Sequence, residues 1–130
     1  MAHTRRYIKG EMPQTRGYSP AVIIQGGTTV YLAGVTVSVD SNGKALTGDF
    51  EGQVREIFKK LGKTLEEAGG KLADMVTMTV FITDPRYGDR FTQLRREIFG
   101  DNFPASALIT VFGLARPELL IEVQGIAVIG

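Results

Sequence analysis

The chain has 130 residues, of which 43% are hydrophobic and 22% are charged, so it has the composition of an ordinary globular domain that buries roughly two-thirds of its unfolded surface. Its formal net charge of +1 leaves no overall field to attract nucleic acid or an anionic membrane. It contains no cysteine, which excludes disulfides, thiolate metal sites and cysteine nucleophiles and agrees with a cytoplasmic location. The first residues form no secretory signal, and no apolar run approaches the ~18 residues that a membrane span needs.

The N-terminal third is predicted to consist of strands and turns. A polar segment comes first, with one short strand near Arg6–Lys9. Two apolar strands follow at Ala21–Ile24 and Thr28–Ala33, and the glycine pair in Gln25–Gly27 between them predicts a β-hairpin. The cluster Asp40–Gly43 has the composition of a turn.

Two amphipathic helices are predicted in the rest of the chain. The first begins after Asp49, which is a good N-cap residue, and ends at the glycines that start with Gly69. The second begins at Asp84 and Pro85, as N-cap and first helical residue, and ends at Gly100. Their apolar residues keep helical spacing: Val54, Ile57, Phe58, Leu61, Leu65 and Ala68 in the first, and Tyr87, Phe91, Leu94 and Ile98 in the second.

Three further strands complete the predicted fold. One spans Met75–Thr83 between the helices, and the other two, at about 105–112 and 119–128, end the chain. We therefore predict one α/β domain over residues 1–130, with about six strands in a mostly antiparallel sheet. Each helix has a single apolar stripe, so both helices are expected to cover the same face of the sheet.

The other face of the sheet is predicted to be half polar and half apolar. Such an uncovered face is typical of a subunit interface, and it predicts an oligomer. Glu122 and Gln124 are two residues apart on the last strand and so share a face. The residues assigned to this face are Thr77, Thr79, Ser106, Thr110, Glu122 and Gln124, mixed with Met75, Leu108, Leu120 and Ile126.

Four segments resemble the RidA/YjgF family of reactive-intermediate deaminases, some of which were formerly called endoribonucleases. These are TVYLAG at 29–34, MVTMTVFITD at 75–84, the FPA turn at 103–105 and LLIEVQGIAV at 119–128. The resemblance implies a chorismate-mutase-like homotrimer with sites in the clefts between subunits. It also implies hydrolysis of small 2-imino or enamine acids to 2-oxo acids and ammonia, without metal or organic cofactor.

The resemblance assigns roles to individual positions. Glu122 stands where the family has the glutamate that holds the attacking water, and Ser106 stands where it has the arginine that binds the substrate carboxylate. Ala33, before Gly34, replaces a small hydroxyl residue, and Gln93 corresponds to a cleft asparagine. Tyr18 lies near the position of a cleft tyrosine.

The missing arginine makes the usual family substrate doubtful. A serine cannot imitate the two parallel hydrogen bonds that an arginine gives to a carboxylate. Arg116, in the turn between the last two strands, is one candidate for a replacement, and a plain surface role is the alternative. We expect Ser106 to lie close to Glu122, so that Ser106→Arg would restore the family arrangement.

Three functions remain open from the sequence. The first is a deaminase-type hydrolase of a small imine, enamine or related metabolite that uses Glu122, and the second is a trimer that binds a small ligand without turnover. The third is an RNA-acting protein, for which the only support is the basic second helix. A solvated face explains that helix better, and there is no aromatic platform for stacking bases. The basic residues are Arg86, Arg90, Arg95 and Arg96, and the acidic residues among them are Asp89 and Glu97.

Overall fold

The computed structural model describes residues 3–130, which fold into six strands and three α-helices. The first two residues, at the start of the predicted polar segment, lie outside the described residues. The strands are β1 (His3–Ile8), β2 (Ala21–Gly26), β3 (Thr28–Val35), β4 (Met75–Ile82), β5 (Ala105–Thr110) and β6 (Ile121–Ile129). The helices are α1 (Glu11–Thr15), α2 (Phe50–Glu67) and α3 (Gly88–Phe99).

The six strands form two sheets, not the single sheet that the sequence predicts. β1 pairs with β2 in a two-stranded antiparallel sheet, and the larger sheet has the order β3-β6-β4-β5. Only the β4–β5 pair is parallel, so the prediction of mostly antiparallel pairing is confirmed. The predicted hairpin between β2 and β3 is wrong. Gly26 and Gly27 have φ of 78° and 82°, and they connect β2 in the smaller sheet to β3 in the larger one.

The predicted helix signals are largely confirmed. Asp49 caps α2, because its carboxylate accepts a hydrogen bond of 2.8 Å from the backbone N–H of Gly52. Asp84 and Pro85 instead start a short 3-10 turn at Pro85–Tyr87, and α3 follows directly from it. The turn brings the ring of Tyr87 into a stack on Phe50 of α2, with centroids 4.3 Å apart. The five-residue helix α1 was not predicted.

Both long helices cover one face of the larger sheet, as predicted. Between helices and sheet lies a continuous apolar core in which the central side chains are at most 2% exposed, and its burial supplies most of the stabilisation of such a domain. Its central residues are Val54, Ile57, Phe58, Leu61 and Leu65 from α2, Phe91 and Leu94 from α3, and Met78, Val80, Ile82, Ile121 and Val123 from the sheet.

Several residues assigned to the uncovered face lie on the helix side. A bulge in β4 between Met75 and Thr77 shifts Met75 into the core, where it is 1% exposed. In β5, Leu108 pairs with the buried Val80 and packs against the core. Leu120 also packs against the core.

The opposite face of the larger sheet has no helix over it, and we call it the open face. It carries two large apolar side chains that are well exposed, Tyr31 at 79% and Ile109 at 42%. None of the helices formed by residues 3–130 is long and apolar enough to cross a membrane. The other members of the open face, placed by strand pairing, are Thr79, Phe81, Glu122, Gln124 and Ile126.

Candidate functional site

A cavity of about 330 Å³ lies where the segment before β2 meets α3 and β5. Gly17 has φ of 75° and packs so closely on α3 that an added Cβ would lie 2.8 Å from Cγ of Arg96. Ser19 then donates its backbone N–H to the carbonyl of Pro104 over 3.1 Å and forms a parallel bridge with Ala105. These contacts hold the segment beside the start of β5. The side chains around the cavity are Arg16, Tyr18, Thr92, Arg95, Ser106 and Leu108.

Arg95 is the central side chain of this cavity, and it is only 2% exposed. Its Nη1 donates a hydrogen bond of 2.7 Å to Oγ of Ser106, and its Nη2 donates one of 3.1 Å to the carbonyl of Arg16. Its guanidinium lies over the ring of Phe91, with 4.9 Å from Cζ to the ring centroid. Its Nε is buried without a hydrogen-bond partner.

The positive charge of Arg95 is not matched by a carboxylate. Ion pairs within residues 3–130 involve other arginines, and none includes Arg95. Burial, and to a lesser degree the nearby charge of Arg16, lowers the pKa of Arg95 to about 10. Arg95 therefore remains a cation at neutral pH in a place that penalises its charge.

The expectation that Ser106 lies close to Glu122 on one face is wrong. Ser106 pairs with the buried Met78 on the parallel strand β4, so its side chain is on the helix side of the sheet. Glu122 pairs with Phe81 on the open face. An arginine at position 106 would therefore meet the cation of Arg95 instead of the carboxylate of Glu122. Thr110, which pairs with Ile82, is likewise on the helix side.

Glu122 lies beside a bulge in β3. The pairing of β3 with β6 shifts between Leu32 and Val35, and Ala33 and Gly34 lie in this bulge. A Cβ at Gly34 would overlap Oε2 of Glu122 and would lie 3.1 Å from its Cδ. The absence of a side chain at position 34 is therefore what gives the carboxylate its room, and the structure brings the predicted residues 33, 34 and 122 together.

The carboxylate of Glu122 is half-buried and has no hydrogen-bond or ion-pair partner that residues 3–130 supply. An acceptor without a partner, at the edge of an apolar face, is free to bind a water molecule. Gln124, two residues along the same strand, is exposed on the same face.

The predicted site residues Gln93 and Arg116 lie elsewhere. Gln93 is exposed on α3, and its Oε1 accepts a hydrogen bond of 3.0 Å from Arg90. Arg116 donates to Oγ of Ser38 over 3.1 Å and forms an ion pair of 3.0 Å with Glu118. Neither side chain lines the Arg95 cavity, whereas Tyr18 and Ser106 both do.

The basic second helix is not one solvated face. Arg86 pairs with Asp84 and Arg90 pairs with Glu51, so the charges of these two exposed arginines are balanced within the protein. Arg95 was assigned to the solvated face and is in fact in the core. The helical spacing in the sequence does indicate this burial, because Arg95 follows the core residue Phe91 by four positions and so shares its side of the helix. Residues 3–130 hold no group of three or more His, Asp or Glu side chains that would bind a metal ion.

Comparison with known proteins gives a consistent result. The model of the Endoribonuclease L-PSP family matches residues 9–129. A RutC family protein of Pyrococcus horikoshii is 30% identical over 110 residues, which are 85% of this chain and 85% of that protein. The solved structure of YyfB, a Rid family protein from Yersinia pestis, is 29% identical with a TM-score of 0.84, over 96% of this chain and 98% of that chain. A YjgF-family structure from Mycobacterium tuberculosis is 28% identical with a TM-score of 0.69, over 97% and 100% of the two chains.

Proposed function

Because the chain belongs to the Endoribonuclease L-PSP family, which includes the Rid and YjgF proteins, we propose that it is a deaminase-type hydrolase of a small reactive imine or enamine. The observation that carries this proposal is the unpartnered carboxylate of Glu122 beside the bulge at Gly34. A proton acceptor held in a half-apolar place is what activation of a water molecule requires.

The proposed reaction needs few groups. Water bound to Glu122 adds to the carbon of the C=N bond while the carboxylate accepts one proton from it and passes that proton on to the imine nitrogen. The resulting carbinolamine loses ammonia as the C–N bond breaks, and the carbonyl product remains. An enamine first takes a proton on carbon and gives up one from nitrogen, which converts it to the imine. No electron leaves the substrate, so the proposed reaction uses no redox cofactor.

We further propose that the working form is a homotrimer with its sites in the clefts between subunits. The exposed Tyr31 and Ile109 on the open face support an interface there. Within one protomer the Arg95 cavity and Glu122 lie on opposite sides of the sheet. One small substrate would therefore contact both only where two protomers meet.

Substitution of Glu122 tests the enzyme proposal. Glu122→Gln keeps the size of the side chain but cannot accept a proton, so we expect turnover to fall by roughly 10²- to 10⁴-fold with the fold unchanged. The measurement is ammonia release, above the spontaneous rate, from an imino acid generated in situ by an amino-acid oxidase. Glu118→Gln is the matched control, because the same change four residues away removes only the surface ion pair with Arg116.

Turnover by Glu122→Gln near the wild-type rate would show that Glu122 is structural. A trimer that binds small ligands without turnover is the second candidate, and the replacement of the family arginine by Ser106 favours it. Wild-type protein that binds a ligand yet releases no ammonia from any imine supplied would support that candidate. The ion pairs of Arg86 and Arg90 argue against an RNA-acting protein, since they balance two of the four arginines of this basic region within the protein.

A further inference from the structure

We propose that the Arg95 cavity is a binding site for a small carboxylate and that Arg95, which comes from α3, provides the charged anchor that position 106 lacks. The inference deepens the proposed function, because it names the anionic group of the substrate. It also stands by itself as a binding site, since it does not depend on catalysis by Glu122.

The burial of Arg95 is the first argument. Taking a guanidinium out of water is costly unless a negative partner compensates, and a lone buried charge is strongly destabilising. Arg95 is 2% exposed and forms no ion pair with residues 3–130. A small anion in the adjoining cavity would supply the missing partner.

The composition of the cavity is the second argument. Its walls contain the two arginines and no acidic residue. Among residues 3–130, Arg16 pairs with the carboxylate of Asp89, at 3.2 Å, and the side chain of Asp89 is 88% exposed. The potential inside the cavity is therefore positive, which favours an anion over a neutral or cationic ligand.

The orientation of Arg95 is the third argument. The hydroxyl of Ser106 and the carbonyl of Arg16 each accept a hydrogen bond from one terminal nitrogen, and the ring of Phe91 supports the flat side of the guanidinium. These contacts fix the plane of the Arg95 guanidinium without neutralising its charge. A fixed fork of N–H donors matches the two oxygens of a carboxylate.

The small side chain of Ser106 leaves room for Arg95 at the place where the family arginine would stand. An arginine at 106 and the present Arg95 would compete for the same place, because Nη1 of Arg95 already lies 2.7 Å from the serine oxygen. A small residue at position 106 leaves space for the guanidinium of Arg95, whose backbone lies on α3. The apolar wall formed by Leu108 suits the short carbon body of an organic acid better than a phosphate.

The test compares propionate with propionamide, its neutral analogue of nearly the same shape, at constant ionic strength. We expect calorimetry to detect binding of propionate and not of propionamide to the wild-type protein. Arg95→Met should weaken propionate binding by at least roughly tenfold. Arg90→Met is the matched control, because it removes an exposed arginine of the same helix, and it should leave binding unchanged.

Two further variants keep the result clear. Glu122→Gln should still bind propionate even where it has lost turnover, so that failure of the hydrolase proposal and failure of this site are distinguishable. Ser106→Ala keeps the charge of Arg95 and removes one acceptor that orients it, so binding should weaken without being lost. In the unmodified protein, propionate should shift the amide resonances of Ser106 and Leu108, which tests the site even if Arg95→Met does not fold.

Equal binding by wild-type protein and Arg95→Met would overturn the proposal. So would the absence of any response to propionate beyond that to sodium chloride. A structure of the oligomer with an Asp or Glu of a second copy against the guanidinium would also overturn it, because the charge would then have a permanent partner.

Discussion

The two sides of the larger sheet hold opposite kinds of polar group. On the helix side, Arg95 is a buried cation that is held by hydrogen bonds on two of its nitrogens. On the open face, Glu122 is a half-buried anion whose carboxylate has no partner within residues 3–130. The cation is fixed in place and lacks a counter-charge, whereas the anion has room to bind water.

This difference agrees with the proposed roles of Arg95 in substrate binding and of Glu122 in proton transfer. A fixed cation suits the binding of a substrate, since a rigid fork loses little entropy when it takes up a carboxylate. A free carboxylate suits proton transfer, because its oxygens are available to water. The same separation explains why a single protomer is not expected to be active, since no small substrate reaches both sides of the sheet.

Gly34→Ala tests whether the room beside Glu122 is what matters on the open face. The new methyl group would overlap Oε2 of Glu122, which lies at the end of a flexible side chain and is able to move away. We expect the fold to persist and turnover to fall by about 10²-fold, because misplacing a catalytic group by about 1 Å has an effect of that size. The rate of ammonia release and the thermal midpoint, measured together, check both parts.

Gly113→Ala is the control for this prediction, because a Cβ at Gly113 meets no atom within 4 Å. Full activity in Gly34→Ala would mean that the carboxylate works equally well from another position. Its role as a placed base would then be unsupported.

Mixing two inactive variants tests whether one site draws on both sides of the sheet from different protomers. In a trimer assembled at random from equal amounts of Arg95→Met and Glu122→Gln, about a quarter of the clefts would combine an intact Arg95 with an intact Glu122. We expect the mixture, after subunit exchange, to recover about a quarter of the wild-type rate at low substrate concentration. Each variant alone should stay well below this value.

The controls for this experiment are the unmixed variants carried through the same exchange and light scattering of the product. Mixed trimers that show only the average of the parental rates would mean that both residues act within one protomer or at separate sites. A stable monomer in light scattering would remove the basis of the inter-subunit cleft altogether.

The sequence predicts the elements of this fold better than their arrangement. The N-cap at Asp49, the two long helices and strands β4 to β6 follow from local patterns, since capping and periodicity involve neighbouring residues. The division into two sheets depends on which strand pairs with β2. Its partner is β1, whose sequence is largely polar and only weakly predicts a strand. Short-range composition at Gly26 and Gly27 is the same for a hairpin and for a crossing between sheets.

The same limit applies to the site. Glu122 and Gly34 were identified together through the family resemblance, and they lie together. Ser106 was placed on the wrong face, because strand alternation gives two faces but not which one meets the helices, and the parallel register of β5 on β4 decides that. Arg95 was missed because a charged residue on a helix is usually solvated, and here burial overrides that rule.

The pH dependence of propionate binding gives the smallest expected effect and the most specific one. The pKa of Arg95 is lowered to about 10, well below the ordinary value of a guanidinium, so the side chain is charged from neutral pH to about pH 9. Binding of a carboxylate needs that charge. Affinity should therefore stay constant in this range, be about twofold weaker at pH 10, and fall by about tenfold for each further unit.

The stability of the unliganded protein should change in the opposite direction. Below about pH 10 the buried charge destabilises the folded state by roughly 3 kcal/mol, because the pKa of Arg95 is lower in the folded than in the unfolded protein. This penalty is relieved as the pH rises above about 10, because the folded state gives up its proton at a lower pH than the unfolded state does. Arg95→Met should remove this contribution, together with the pH dependence of binding.

Calorimetric titration of propionate between pH 7 and about pH 11.5 at constant ionic strength measures the effect. Two neighbours face Arg95 in the cavity: the charge of Arg16 lowers its pKa, and Tyr18 acts to raise it. Tyr18→Phe is the control for the second neighbour, and its propionate binding should still weaken near pH 10. A profile that declines near neutral pH, or one that stays flat beyond pH 11, would mean that a group other than Arg95 holds the carboxylate.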